Sequence, residues 1–67
     1  MSIAKITEIS ATSTESFEDA IRSGIKRANK TLKNITGAWI ADQEVSVDKG
    51  KITAYRIRMR ITFVLEG

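Results

Sequence analysis

The strongest constraint on this chain is the alternation of its side chains from Tyr55 to Leu65. Every second residue is large and apolar: Tyr55, Ile57, Met59, Ile61, Phe63 and Leu65. The residues between them are Arg56, Arg58, Arg60, Thr62 and Val64. Successive side chains of a β-strand point to opposite faces, so this pattern predicts a strand with one buried face. The apolar face needs cover from the rest of the chain, and the arginine face needs water, anions or carboxylates.

An amphipathic helix over residues 14–33 is the predicted cover. Residues 11–16 are rich in side-chain oxygens, and the Thr12–Glu15 spacing matches a capping box, with Ser13 or Thr14 as alternative caps. Acidic residues come early in this segment and basic ones late, which suits the helix dipole. Apolar residues then recur at spacings of three and four: Phe17, Ala20, Ile21, Gly24, Ile25, Ala28, Leu32 and Ile35. The small residues Gly24 and Ala28 are expected where the helix comes closest to the sheet.

Two further strands are predicted, over residues 2–10 and 37–47. In the second of these strands, Trp39 and Gln43 are predicted to share one face, and Asp42 and Glu44 to share the other. Residues 48–51 read as a turn, with Gly50 available for positive φ, so the second strand forms a hairpin with the Tyr55–Leu65 strand.

The expected fold is a single α+β domain over residues 1–67 with the element order β-α-β-β. The simplest topology is a three-stranded antiparallel sheet of order 1-3-2, packed on one helix. The predicted core consists of residues from the helix and the last strand: Phe17, Ile21, Ile25, Leu32, Ile57, Met59, Ile61, Phe63 and Leu65. Both sheet edges are left exposed, which favours assembly.

Composition narrows the possible functions. The chain has 67 residues without Cys or His, which excludes disulfides, His-based zinc sites and His-dependent catalysis. A domain this small needs some further stabilisation, and oligomerisation is what remains. No apolar run is long enough to span a membrane and no signal-peptide pattern is present, so a soluble, cytoplasmic protein is expected. The net charge of +3 invites an anionic partner only mildly, and we do not expect nucleic acid to be one.

Two side-chain groups are candidates for binding. The row Arg56, Arg58 and Arg60 either pairs with Asp42, Glu44 and Glu8, within the chain or across an interface, or binds phosphate. The single tryptophan, Trp39, either packs in a core or interface or offers a stacking platform to a planar ligand. Asp42, Glu44 and Asp48 lack the loop spacing of a calcium site of the EF-hand type. No catalytic constellation is present, so the protein is not expected to be an enzyme.

A recognisable combination is formed by residues 5–9, 12–13, 16–21, 27–28 and 30–32, by Asp42-Gln43, and by the stretch from Gly50 to Glu66. Through these residues, essentially the whole chain resembles the dodecin family. It implies a hollow homododecamer with helices outward, which binds flavin (riboflavin, FMN or FAD) in pairs at interfaces and stores or buffers it without catalysis. The resemblance also implies an alternative, a structural particle or a binder of calcium, coenzyme A or another anion.

The ligand contacts that the resemblance implies are altered in this chain. Flavin-binding members stack a Trp at the start of the second strand and use a Gln on the third. Gly37 and Arg56 take these two positions here, and Trp39 follows two residues later. The candidate flavin-binding residues are therefore Trp39, Gly37, Arg56 and Gln43. Either Trp39 stacks the ligand in a shifted pocket, with Arg56 donating to a carbonyl or phosphate, or flavin binding has been lost.

Overall fold

Three long strands and one helix make up residues 3–65, the part of the chain that the computed structural model describes. They are β1 (Ile3–Ser13), α1 (Phe17–Ala28), β2 (Ile35–Asp48) and β3 (Lys51–Leu65). β3 lies between the other two strands in the order β1-β3-β2, and both pairings are antiparallel. The predicted α+β fold, element order and sheet topology are confirmed. The predicted first strand also included residue 2, which lies outside the described residues.

The start of the helix was predicted too early. Ser16 is the N-cap, and its Oγ accepts a hydrogen bond from the Asp19 N–H at 2.9 Å. Thr12 and Ser13 instead belong to β1, which stays paired with β3 as far as Ser13 opposite Tyr55. The buried Ser13 Oγ donates to the Asp19 carboxylate at 2.6 Å and accepts from the Glu15 N–H at 2.9 Å. The capping box predicted at Thr12 and Glu15 is therefore not formed, because Thr12 is part of β1.

The helix also ends early, at Ala28 rather than at residue 33. The N–H groups of Thr31 and Leu32 both donate to the Ala28 carbonyl, at 3.1 and 2.9 Å, which closes the last turn. Asn34 then takes a positive φ of 63° and leads the chain into β2. Asn is one of the few residues besides glycine that adopt this conformation readily.

The core lies between α1 and the middle of β3. Ile57, Met59 and Ile61 are fully buried together with Ala20, and Ala28 is nearly so. Partly buried residues complete the cluster from the helix side: Phe17, Ile21, Ile25 and Leu32. Two predicted core members differ, since Phe63 is only half-buried and Leu65 is 47% exposed. A 12-residue helix spans roughly 18 Å and a 15-residue strand roughly 50 Å, so α1 cannot cover the end of β3.

The closest approach of helix and sheet is at Gly24, as predicted. A Cβ atom there would lie 2.5 Å from Met59 Cε and 3.0 Å from Ala11 Cβ. The flexible end of Met59 has room to adjust, but the Ala11 methyl is fixed to the β1 backbone. The small residues Ala20, Gly24 and Ala28 are the buried ones of the helix, so the absence of side-chain bulk sets the distance between the two layers.

β2 is the strand that the helix leaves uncovered. α1 packs on β1 and β3, while nearly every residue of β2 is exposed. Ile40 stands opposite the buried Met59 and is nevertheless 41% exposed. The described chain extends over 52 × 19 × 13 Å, with a radius of gyration of 13.9 Å. A compact chain of this length has a radius of gyration of roughly 11 Å. The side of β2 that carries Ile40 is therefore an apolar surface that α1 does not cover.

Register shifts in β2 make the regular alternation predicted for this strand wrong. One shift falls between Ile40 and Asp42, so Ala41 is an extra residue without a counterpart on β3. Asp42 and Glu44 are thereby paired with Arg58 and Arg56, on the same face as Trp39. The residues opposite the buried side of β3 are Ala38, Ile40, Gln43 and Val45.

Replacing Ile61 with alanine tests the assigned core. Ile61 is fully buried, so Ile61→Ala should lower the free energy of unfolding by about 2–5 kcal/mol. Chemical denaturation at a fixed protomer concentration measures the change. Ile52→Ala is the matched control on the same strand, where the side chain is 54% exposed, and should cost less. A loss below about 0.5 kcal/mol for Ile61→Ala would contradict the assignment of the buried face.

Candidate functional site

Three ion pairs cross the sheet face that is turned away from α1. Arg56 Nη1 lies 2.9 Å from Glu44 Oε1, and Arg60 Nε lies 3.0 Å from Glu8 Oε1. Arg58 Nη2 pairs with Asp42 Oδ2. Each arginine stands directly opposite its partner in the sheet register, so the pairs follow from strand pairing. Pairing of the arginine row within the chain is therefore confirmed, and each guanidinium beside the candidate site is matched by one carboxylate.

Trp39 lies on the same face, directly opposite Arg60 in the sheet register. Its ring lies under the Arg60 guanidinium, with Arg60 Cζ 5.9 Å from the ring centroid. Trp39 is 43% exposed, so it is not part of the protomer core. Of the roles predicted for Trp39 from the sequence, this exposure excludes packing in the core of the protomer.

Gly37 leaves open space next to this ring. It pairs with Thr62, while Trp39 pairs with Arg60, so both β2 residues lie on the arginine face about 7 Å apart along the strand. A Cβ atom built on Gly37 would meet nothing within 4 Å. Neither the fold nor the packing of the protomer requires glycine here, and a larger group has room at this position.

The other two candidate residues border a shallow depression further along the face. Its volume is about 590 Å³, and it is lined by Ser10, Asp42, Gln43, Glu44, Arg56 and Arg58. Arg56 is four residues from Arg60 on β3, which corresponds to roughly 13 Å. Gln43 borders the depression although its cross-strand partner is Ile57, on the buried side. The structure thus brings Trp39 and Gly37 together, and places Arg56 and Gln43 at a separate position.

Sequence reasoning missed two parts of this face. Ser10 lies opposite Arg58 and lines the depression, but nothing in its sequence context singles it out. The contact between Arg60 and Trp39 also went unnoticed, because regular alternation was assumed for β2. A signal for this contact is present in the sequence. If β2 is aligned with β3 so that Arg56 and Arg58 lie opposite Glu44 and Asp42, with one extra residue in β2, then Trp39 lies opposite Arg60.

Residues 3–65 of one protomer contain no group of three acidic side chains close enough to hold a metal ion. Of the three carboxylates considered from the sequence, Asp42 and Glu44 are bonded to guanidinium groups. Asp48 lies apart from them in the hairpin, opposite Lys51.

Comparison with known proteins identifies the family. Residues 3–66 match the family model for dodecin. The chain belongs to the dodecin family. The calcium dodecin of Mycobacterium tuberculosis is 38% identical over 64 residues, which cover 94% of this chain and 89% of the relative. Proteins of this family form homo-oligomers and bind small ligands. Within the described residues, no helix is long and apolar enough to cross a membrane.

Solved structures of dodecins have the same fold. A dodecin from Streptomyces davaonensis is 30% identical, with a TM-score of 0.92 over 98% of this chain and 97% of that one. The M. tuberculosis calcium dodecin, described as calcium-chelating with a novel calcium-binding site, is 32% identical, with a TM-score of 0.81 over 96% and 91% of the two chains. The fold predicted from the sequence is therefore that of the family.

Nucleic acid should not bind to the arginine face. The carboxylates of Glu8, Asp42 and Glu44 neutralise the row, which removes the charge that a phosphate backbone would use. Electrophoretic mobility assays with single- and double-stranded DNA at physiological salt should show no shift. A shift that weakens steeply with salt, and that disappears when all three arginines are replaced with glutamine, would contradict this prediction. The same shift retained by that triple variant would instead implicate the cations of the late helix, Lys26, Arg27, Lys30 and Lys33.

Proposed function

We propose that this dodecin is a cytoplasmic, non-catalytic homododecamer that stores or buffers flavin of the riboflavin or FMN type, stacked on Trp39. The observation that carries the proposal is an exposed indole ring beside the open space at Gly37, on the sheet face opposite the helix. Stacking on such a ring contributes about 0.5–1.5 kcal/mol beyond the burial of apolar area. The ring lies two residues from the family's stacking position, on the same face of the strand.

A storage role without catalysis is consistent with the chemistry of the face. The chain has no Cys or His, and the ionisable side chains nearest Trp39 are joined in ion pairs. Such pairs leave no free general acid or base beside a bound ligand. Binding, rather than turnover, is what these residues support.

Assembly into a dodecamer follows from the incomplete protomer. The core contains three large, fully buried side chains, which is little for an isolated chain of 67 residues. β1 and β2 are sheet edges, and the apolar side of β2 has no helix over it. Copies of the same chain would cover these surfaces and bring the arginine faces of neighbouring protomers to the inside of the cage.

Calcium is the second candidate ligand, because a relative with 38% identity is a calcium dodecin. A calcium site here would have to combine carboxylates from several protomers and displace the arginines now bonded to them. These ion pairs support flavin as the first candidate. Isothermal titration with calcium chloride separates the two: heat of binding that persists in Trp39→Ala would favour the alternative.

The native mass tests the assembly. The expected particle has a mass of about 89 kDa, twelve times that of the 7.4 kDa chain, and folded monomer should be scarcely populated. Native mass spectrometry and light scattering measure both. Ile40→Asp places a charge on the uncovered side of β2 and should reduce the dodecamer fraction at equal protein concentration. A stable, folded monomer of the unmodified chain would overturn the proposal.

Quenching of flavin fluorescence tests the ligand. Titrating riboflavin or FMN with the assembled protein should quench flavin emission strongly, because stacking on Trp39 brings the two rings into contact. Trp39→Ala should abolish the quenching. Gly37→Trp should strengthen it, since a ring there meets open space at the position where flavin-binding relatives carry theirs.

The Arg22→Gln variant is the control for this titration. Arg22 forms an exposed ion pair with Glu18 on the helix, at 2.5 Å and away from the arginine face, and its loss should leave the quenching unchanged. Unchanged flavin emission at tens of micromolar unmodified protein would rule out flavin and leave a dodecin with another ligand.

A further inference from the structure

A continuous chain of contacts crosses all three strands at one level of the sheet. Glu8 on β1, Arg60 on β3 and Trp39 on β2 are consecutive cross-strand partners. Arg60 Nε donates to Glu8 Oε1 at 3.0 Å, and the same guanidinium lies over the Trp39 ring, 5.9 Å from its centroid. No other arginine within residues 3–65 makes an aromatic contact of this kind.

We propose that Arg60 is a positioning residue that holds Trp39 as a one-sided stacking platform. This inference rests on the proposed function, because it assigns to Arg60 the orientation of the ring that stacks the ligand. An exposed indole on a strand has several accessible rotamers, and a planar ligand binds only to those that present a ring face. A guanidinium on one face of the ring favours the rotamer in which the other face is open.

Glu8 gives this arrangement its rigidity. An isolated exposed arginine loses side-chain entropy when it stacks on a ring, which offsets much of the attraction. Arg60 is already held by its ion pair with Glu8 on β1. The entropy lost in ordering the arginine side chain therefore counts once for two contacts, the ion pair and the contact with the ring. Arg58 and Arg56 have equivalent carboxylates but no ring beside them, which makes the Arg60 pair the one with a role beyond charge balance.

The position of Arg60 over one face of the Trp39 ring limits how a ligand can stack on it. With Arg60 on one side of the indole, each Trp39 has one ring face left and accepts one planar ligand rather than being enclosed by two. The positive charge on Arg60 is balanced by Glu8. The platform therefore selects for a flat ring and not for a phosphate, so riboflavin and FMN should bind with similar affinity.

Trp39 is the only tryptophan, so indole fluorescence, excited at a wavelength where Tyr55 does not absorb, reports on this ring. Acrylamide quenching of the ligand-free assembly should rise in Arg60→Gln, by up to about two-fold because Trp39 is already 43% exposed in the protomer. The dissociation constant for riboflavin should rise about two- to five-fold, which is the population change that one exposed cation–π contact supports. Glu8→Gln should lie between Arg60→Gln and the unmodified protein, and Arg60→Lys should recover part of the loss because it keeps the charge.

The two readouts distinguish this inference from the proposed function. Native mass spectrometry first confirms that each variant assembles, and Arg22→Gln again serves as the control for loss of an exposed arginine pair. If the unmodified protein does not bind riboflavin, the proposed function fails, and acrylamide quenching alone decides whether Arg60 orders Trp39. The inference is overturned if Arg60→Gln leaves acrylamide quenching unchanged, or if quenching rises while riboflavin affinity stays that of the unmodified protein.

Discussion

The packing of a short helix on a long strand is the interaction on which the rest of the structure depends. Ile57, Met59 and Ile61 are buried because α1 lies over the middle of β3, and Gly24 lets the two come together. The strand extends well past the helix at both ends, and β2 lies beyond its reach. A chain of this kind stabilises only its centre, and it leaves the end of β3 and most of β2 exposed.

The opposite face of β3 is organised by charge balance. Three arginines and three carboxylates are paired across the strands, and the ion pairs are about half-exposed, which limits the stability that each contributes to the protomer. Their value changes if this face is turned inward in the assembly, where fewer waters compete and an unpaired charge would be costly. The pairing thus balances the charge of this face, on which the Trp39 ring and the Ile6 side chain remain exposed.

The fold could be predicted from the sequence where apolar and polar side chains alternate regularly along a strand. The alternation from Tyr55 to Leu65 is unbroken, so the buried Ile57, Met59 and Ile61 and the central place of β3 in the sheet were predictable. The periodicity could not show that the helix ends before Phe63 and Leu65, nor decide between carboxylates and phosphate as partners of the arginines. β2 has an extra residue at Ala41, and a slip of one residue moves every later side chain to the other face. Gln43 was therefore grouped with Trp39 although it pairs with Ile57. The start of the helix was predicted wrongly for another reason. The hydroxyl of Ser13 suits a helix cap as well as a buried position at the end of β1, and the structure has the second.

The same irregular strand determines which residue of β3 lies opposite the tryptophan. Trp39 precedes the bulge at Ala41 and follows Gly37 by two positions, so both residues lie on the arginine face. A ring transferred between them is displaced by about 7 Å but keeps its orientation relative to the sheet. At the new position the ring lies opposite residue 60 of β3, where an arginine can stack on it. An indole at Gly37 would instead lie opposite Thr62, so the contact with Arg60 is available at residue 39 and depends on the register of the two strands.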